Sequence, residues 1–234
     1  MKVFVHNLAS NKEMSSTTAT ILIISAIVVV VLALSFYIGI HIWARMLRKK
    51  YDKKAMKEAI IKIESLRNNI GVIPLNLKSY FNSKENDYDV EGMINTIYQN
   101  DYKQVLVISQ DLYSFGWISQ TTQNPLFYEL ESFDFERYNQ ARLQTDLNLN
   151  KQIVPHQNEN LDFVAIFSAS ENLNDLYDRY FKLLNHNGMI AIKITNFKKS
   201  ELKLLLKHLA FSKIQHEISY FGTKILFIVK KEIN

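Results

Sequence analysis

Between Glu13 and Arg45 the chain carries no formally charged side chain. From Ile21 to Trp43 it is Ile, Leu, Val, Ala or aromatic, with Ser25, Ser35, Gly39 and His41 between them. A bilayer core about 30 Å thick needs roughly 20 apolar residues in a helix, and this run supplies them. On an insertion scale the aliphatic and Phe residues together contribute on the order of −6 kcal/mol, enough to insert without a partner helix. A buried core helix would tolerate more polar interruption than is present. A cleaved signal peptide has an apolar region of about 7–15 residues ending at small residues. This run is longer, and it ends in Trp43 and a basic cluster. A membrane-spanning helix over 20–44 is therefore expected.

The charge has a matching layout. The 234 residues hold 28 Lys+Arg and 23 Asp+Glu, a net charge of +5, with a pI near 9.1. Residues 1–44 carry two Lys and one Glu. Residues 45–69 carry nine basic and three acidic side chains, and residues 70–234 carry seventeen basic and nineteen acidic ones. The basicity thus belongs to a collar of +6 directly after the apolar run, and the remainder is slightly acidic. Lys/Arg-rich flanks stay on the cytoplasmic side, so residues 1–19 are expected as a short extracytoplasmic tail and residues 70–234 as a cytoplasmic domain at the cell membrane. The membrane lipid bilayer is the first expected partner, because each nearby Lys or Arg gains about 1 kcal/mol against anionic headgroups. Duplex nucleic acid is not expected, since a domain of net −2 lacks the phosphate contacts it requires. Within 45–69, Met56, Ala59, Ile60, Ile63 and Leu66 share one helical face. That face predicts an amphipathic helix continuing the membrane helix, either touching lipid or a second copy, or packed on the domain as a connector.

The remaining 165 residues alternate strand and helix signals. After Gly71 and Pro74, which punctuate a linker, Val90, Met93, Ile94, Ile97 and Tyr98 form a helical face. Continuous apolar runs at Gln104–Ile108, Leu126–Leu130 and Leu161–Phe167 predict buried strands. IVPH is a short strand limited by Pro155. FDFERYNQARLQTDL predicts a helix with Ser132 as its cap. NDLYDRYFKLL predicts another, stopped by Gly188 before the strand MIAIKI. A helix from Ser200 and two strands around Phe221–Gly222 close the chain. This alternation predicts an α/β domain with a Rossmann-like, mostly parallel sheet, helices on both faces and a C-terminal antiparallel hairpin, preceded by one transmembrane helix.

The order resembles the class I S-adenosylmethionine-dependent methyltransferases over roughly residues 90–230. Leu161–Thr195 is similar to the family's fourth strand, following helix and "LLkpGGliai" fifth strand. FERYNQAR, Phe135–Arg142, is similar to its "PErxxxAR" helix. The chain also resembles membrane-tethered methyltransferases assigned by similarity in very small bacterial genomes. The resemblance implies S-adenosylmethionine as cofactor and a set of contacts to it. Where the family has "VLEiGxgxG" this chain has VLVISQDLYSFGW, so Ser109, Gln110, Asp111 and Gly116 would form the loop beside the methionine and ribose, with Val107 in place of the family's acid. An acid after strand two would accept both ribose hydroxyls, since a carboxylate is a bidentate acceptor. Glu129, Glu131 and Asp134 are the candidates, and Glu131 is favoured. Ser168 follows strand four, and Gln157 and Asn158 are the nearest polar groups on the adenine side. The unit between strands three and four is short, so its helix is expected to be missing or reduced.

Other chemistries lack their residues. Phe167 and Ala169 replace the two acids of the metal-dependent O-methyltransferases, and Lys193 and Ile194 stand where an Asp–Asn pair would complete that site. Hard cations need those oxygens, so no metal is expected. The Asn/Asp-Pro-Pro-aromatic signature of amino-methyltransferases is absent at Ser168–Glu171. The absence of Cys excludes disulfides and a Cys nucleophile. The six His lack metal-ligand spacing and are expected at surfaces or edges, and Lys198, Lys199, Lys203 and Lys207 on a solvated helix face. Two functions follow. One is a membrane-anchored methyltransferase acting on a membrane-proximal lipid or membrane protein, with no fixed catalytic base. The other is a methyltransferase-like domain without catalysis, serving as a tethered binding or scaffold module.

Overall fold

The computed structural model describes residues 16–66, 73–122, 124–149 and 153–231. The chain divides into two compact units at Lys53/Lys54. The expected tail, 1–19, lies largely outside the described residues.

The first unit is the front of helix α1, Ser16–Leu66. It is one helix long and apolar enough to cross a membrane, by length and composition. Its aliphatic side chains from Ile21 to Trp43 are exposed. The serines that interrupt the run turn back on the helix: Ser25 Oγ donates to the Leu22 carbonyl at 2.9 Å and Ser35 Oγ to the Val31 carbonyl at 2.8 Å. Their hydroxyls are satisfied without water, which suits an apolar surrounding.

The second unit opens with the last turns of α1. Ala55, Met56, Ala59 and Ile60 are half-buried and Ile63 is buried, while Lys57, Glu58, Ile61 and Lys62 are exposed. Of the apolar stripe read from the spacing, Met56, Ala59, Ile60 and Ile63 are thus covered. Then follow α2 (Leu75–Phe81), α3 (Asp87–Gln99), β1 (Val105–Ile108), α4 (Leu112–Thr121), β2 (Leu126–Tyr128), α5 (Phe135–Arg142), β3 (Ile153–Pro155), β4 (Leu161–Ile166), α6 (Leu173–Leu183), β5 (Leu184–Lys193), α7 (Lys199–Phe211), β6 (Gln215–Tyr220) and β7 (Lys224–Val229).

The seven strands form one sheet in the order β3-β2-β1-β4-β5-β7-β6. The first five are parallel; β7 runs antiparallel between β5 and β6. The strand period of two divides the core. Val105, Val107, Phe163, Ala165 and Ala191 face one layer with α3 and α4. Leu106, Ile108, Val164, Ile166, Ile190 and Ile192 face the other with α6 and α7. Both faces are covered, which is why the central strands read as unbroken apolar runs.

Several local expectations are corrected. The stretch after Pro74 is helix α2, and Leu112–Thr121 is helix α4, where a loop through Gly116 was expected. All residues from Leu112 to Ser119 are buried, so the sequence shows no amphipathic period there. Tyr98, placed on the apolar face of α3, is 67% exposed at that helix's end. Strand β2 stops at Tyr128, and Leu130 lies exposed in a turn. The cap of α5 is Asp134, which accepts from the Arg137 N–H, and Ser132 instead donates to Glu129. Gly188 does not stop α6. It lies within β5 opposite a register shift of β4, and a Cβ there would come within 2.9–3.2 Å of the Asn185, Asp162 and Leu161 carbonyl oxygens. As expected, the chain crosses from β3 to β4 without a helix, in the five residues 156–160, with Asn158 at φ 80°. The Lys198, Lys199, Lys203 and Lys207 side chains are exposed as expected, but the His156 ring is enclosed between Phe127 and Tyr180.

Asp162 ties the start of this sheet together. Its Oδ2 accepts the Lys103 and Gln104 N–H groups at 2.9 Å, and its Oδ1 accepts Asn185 Nδ2 at 2.7 Å. Burial pushes its carboxyl up, but the Asn185 amide and the two backbone donors outweigh that and hold it below the usual carboxylate range. The stabilisation is therefore complete above the ordinary carboxylate pKa and fades as the pH falls through the depressed one. Asp162→Asn is expected to cost about 1–3 kcal/mol at pH 7, with the two proteins converging in strong acid. Urea midpoints at pH 7 and pH 3 check this, and an unchanged gap between them contradicts it.

Candidate functional site

In an open parallel sheet, ligands bind outside the carboxyl ends of the strands where the strand order reverses. Here that point lies between β1 and β4, since β1 leads outward to β2 and β3 and the chain then returns to β4. Four of the expected site residues meet there. Ser109 leaves β1 and its Oγ accepts the Asp111 N–H at 3.0 Å. Gln110 is exposed, and its N–H donates to Ser168 Oγ at the end of β4 at 3.0 Å, so one hydrogen bond spans the crevice. Asp111 caps α4 through the Tyr113 N–H at 2.9 Å, and its other oxygen accepts from Ser83 Oγ.

The acids after β2 divide. Glu129 accepts from Arg179 Nη1 and Ser132 Oγ, each at 2.9 Å, and from the Tyr180 hydroxyl. Arg179 also bridges to Glu171 at 2.8 Å. Burial, and the hydrogen bond to Glu129, push the Tyr180 hydroxyl well above the ordinary tyrosine range, so it stays a donor. Glu131, two residues on, is exposed in the turn. Asp134 is spent as the α5 cap. Gln157 donates its N–H to Glu159 at 2.6 Å within the β3–β4 turn.

Gly116 is not part of the crevice. It lies mid-helix in α4, where a Cβ would come to 3.0 Å of a Leu77 methyl and 3.2 Å of a Leu149 methyl. Its role is close packing of α4 against α2. Tyr113 and Trp117 are buried core of the same layer.

The spacing gave no sign of a buried charge cluster that roofs this end of the sheet. Lys193, the last residue of β5, is 7% exposed and its ammonium meets Glu85 and Asp89, the latter at 3.1 Å. Asp89 is fully buried and also accepts the Thr223 N–H at 2.7 Å and the Thr223 hydroxyl at 3.0 Å. Next to it Asp87 accepts from Lys78 Nζ and from the Tyr113 hydroxyl, both at 2.7 Å. Burial alone would push Lys193 down; Glu85 and Asp89 outweigh it and hold the ammonium charged. Residues 83–89 are thereby tied to α4, to β5 and to the β6–β7 turn at once. Among the described residues, no group of three or more His, Cys, Asp or Glu side chains is placed to hold a metal ion.

No family model matches the chain, and no curated protein matches it. Solved structures do. A Klebsiella pneumoniae protein assigned as an O-methyltransferase aligns at a TM-score of 0.54 with 10% identity, covering 78% of this chain and 100% of that one. The chain has a methyltransferase fold. A methyltransferase from Geobacter sulfurreducens aligns at 0.48 with 10% identity, over 63% of this chain and 81% of that one. The Bacillus cereus O-methyltransferase in complex with SAH aligns at 0.41 with 13% identity, over 76% and 91%. At these identities the likeness is one of fold.

On the methyltransferase fold, Lys193 marks a concrete departure. It puts a fixed monovalent cation at the end of β5, where the resemblance in sequence led to an acid in the metal-dependent enzymes. Lys193→Met leaves Glu85 and Asp89 facing each other without compensation. It is expected to lower stability by about 3–5 kcal/mol, as when one partner of a buried ion pair is removed. Because the Lys193 pKa is raised, its contribution is complete below the ordinary lysine pKa and is lost only as the pH climbs past the raised value. Thermal melts of the full chain at pH 7 check this, and a variant with unchanged Tm refutes the buried cluster.

Proposed function

We propose that the chain is a membrane-anchored S-adenosylmethionine-dependent methyltransferase acting on a membrane-proximal lipid or membrane protein. The observation that carries this reading is the crevice at the reversal of strand order. There Gln110 donates to Ser168, and Glu129 and Glu131 follow the neighbouring strand β2, on a methyltransferase fold.

Two exposed polar groups support a cofactor on the ribose side. Glu131 is an exposed acceptor in the turn after β2, and Gln110 an exposed amide after β1. Ser109, Asp111 and Glu129 already have protein partners, so they shape the crevice rather than supply its free acceptors. Glu131 would accept the ribose hydroxyls, and Gln110 and Ser168 would border the methionine end. The bound cofactor supplies a methyl group on a sulfonium, transferred by in-line displacement. The protein's contribution is to hold nucleophile and methyl in line and to exclude water. No general base is needed for an acceptor already electron-rich. A reaction without a divalent metal is supported by Lys193 and Ile194 standing after β5, where neither side chain offers the oxygen ligands a hard cation needs.

The anchor reading is supported by α1, whose apolar stretch is long enough to span, and by the basic collar 45–69, which favours a cytoplasmic domain with the N-terminus outside. A second reading has its own observation. The loop Ser109–Asp111 has no glycine and its polar groups bond one another, as suits a tethered binding or scaffold module that has lost catalysis.

Calorimetric titration of the full chain in nanodiscs with S-adenosylhomocysteine separates the two. The enzyme reading expects saturable binding below about 1 mM, weakened roughly tenfold to hundredfold by Glu131→Ala, a hydrogen bond to a charged group, with Tm unchanged. Folded protein that gives no heat up to millimolar ligand supports the scaffold.

A further inference from the structure

A second cavity lies away from the crevice, entirely within the unit that begins at Lys54. Its volume is about 510 Å³, inside the range of roughly 300–1,000 Å³ for small-molecule sites. The end of α1, helix α3 and the β6–β7 hairpin wall it. It borders β6 from Gln215 to Tyr220, a stretch of roughly 16 Å at about 3.3 Å per residue. Its walls are apolar at Ile63, Met189, Phe227 and Val229 and polar at Thr96, Gln99, His216 and Ser219, and its exposed rim carries Lys62 together with Glu58 and Glu217.

One polar group inside is unaccounted for. Asn95 lines the cavity, is 7% exposed, and its Nδ2 has no hydrogen-bond partner. A buried donor without an acceptor costs about 1–3 kcal/mol, and such groups are rare enough to call for a physical reason. An incoming acceptor oxygen would remove that cost. The rim carries both signs, so the uncharged Asn95 donor, rather than net charge, sets what is recognised.

We infer that this cavity binds a single acyl chain, lying along the hairpin with its carbonyl oxygen accepting from Asn95 Nδ2. The chain could belong to a free fatty acid or to a bilayer lipid; the chemistry that recognises it is the same. The site is independent of the cofactor crevice and stands whether or not the domain transfers methyl groups.

The test uses the full chain in phosphatidylcholine nanodiscs with two photoactivatable probes, a diazirine-bearing palmitic acid and a phosphatidylcholine carrying the same diazirine chain. Labelled peptides are mapped by mass spectrometry. Label on residues 91–99 or 215–229, reduced at least fivefold by excess unlabelled chain, supports the site, and the probe that gives it identifies the source. Asn95→Leu keeps the side-chain bulk and removes the donor; Ala59→Phe fills the cavity from α1. Both are expected to cut that label at least fivefold with the circular dichroism spectrum unchanged. Label confined to the segment Ile21–Trp43, or label on α3 and the hairpin that neither variant nor competitor reduces, overturns the inference.

Discussion

The arrangement at the carboxyl end of the sheet depends on one buried cation. Lys193 closes β5 inside the protein, and Glu85 and Asp89 come from a segment more than a hundred residues earlier to meet it. A charge in that position is tolerated only when paired and hydrogen-bonded, and Asp89 completes the set through Thr223 of the hairpin turn. Residues 83–89 are thus fixed over the strand ends. From there Ser83 reaches Asp111, and Asp87 takes the Tyr113 hydroxyl. The start of α4, and with it the shape of the crevice, follows from where that ammonium sits.

The sheet was legible in the sequence for a physical reason. Strands covered on both faces are uniformly apolar, so VLVI and LDFVAI stand out, and the antiparallel β6–β7 pair follows from the turn at Phe221–Gly222. Helix α3 showed itself by its periodic face. Helix α4 did not, because eight consecutive buried residues leave no polar side to reveal the period. Gly116 added a false signal there. A glycine beside a cofactor and a glycine under a leucine methyl look alike in sequence, and only the 3.0 Å approach to Leu77 tells them apart.

The site was legible in part. Local chain order placed Ser109, Gln110, Asp111 and Ser168 at strand ends, and the strand order brings them to one crevice. The roles of the acids were not readable. Glu129, Asp111 and Asp134 are equally plausible as letters, yet Arg179, Ser83 and the α5 amide claim them in turn, and those partners are distant in sequence or hidden in cap geometry. The Lys193 cluster was hidden for the same reason. Its sequence signal was only that Asp87, Asp89 and Glu85 crowd the start of α3.

The two ends of the sheet thus offer different chemistry: a polar crevice where β1 and β4 part, and a partly apolar cavity under the hairpin with one unpaired amide. Amide hydrogen exchange of the full chain in nanodiscs, with and without saturating S-adenosylhomocysteine, separates them most directly. If the crevice holds the cofactor, the ligand slows exchange at Gln110–Leu112, Ser168–Asn172 and the turn at Leu130–Ser132, and leaves 91–99 and 215–229 unchanged. Protection confined to α3 and the hairpin, or no protection anywhere in a folded protein, would contradict that account.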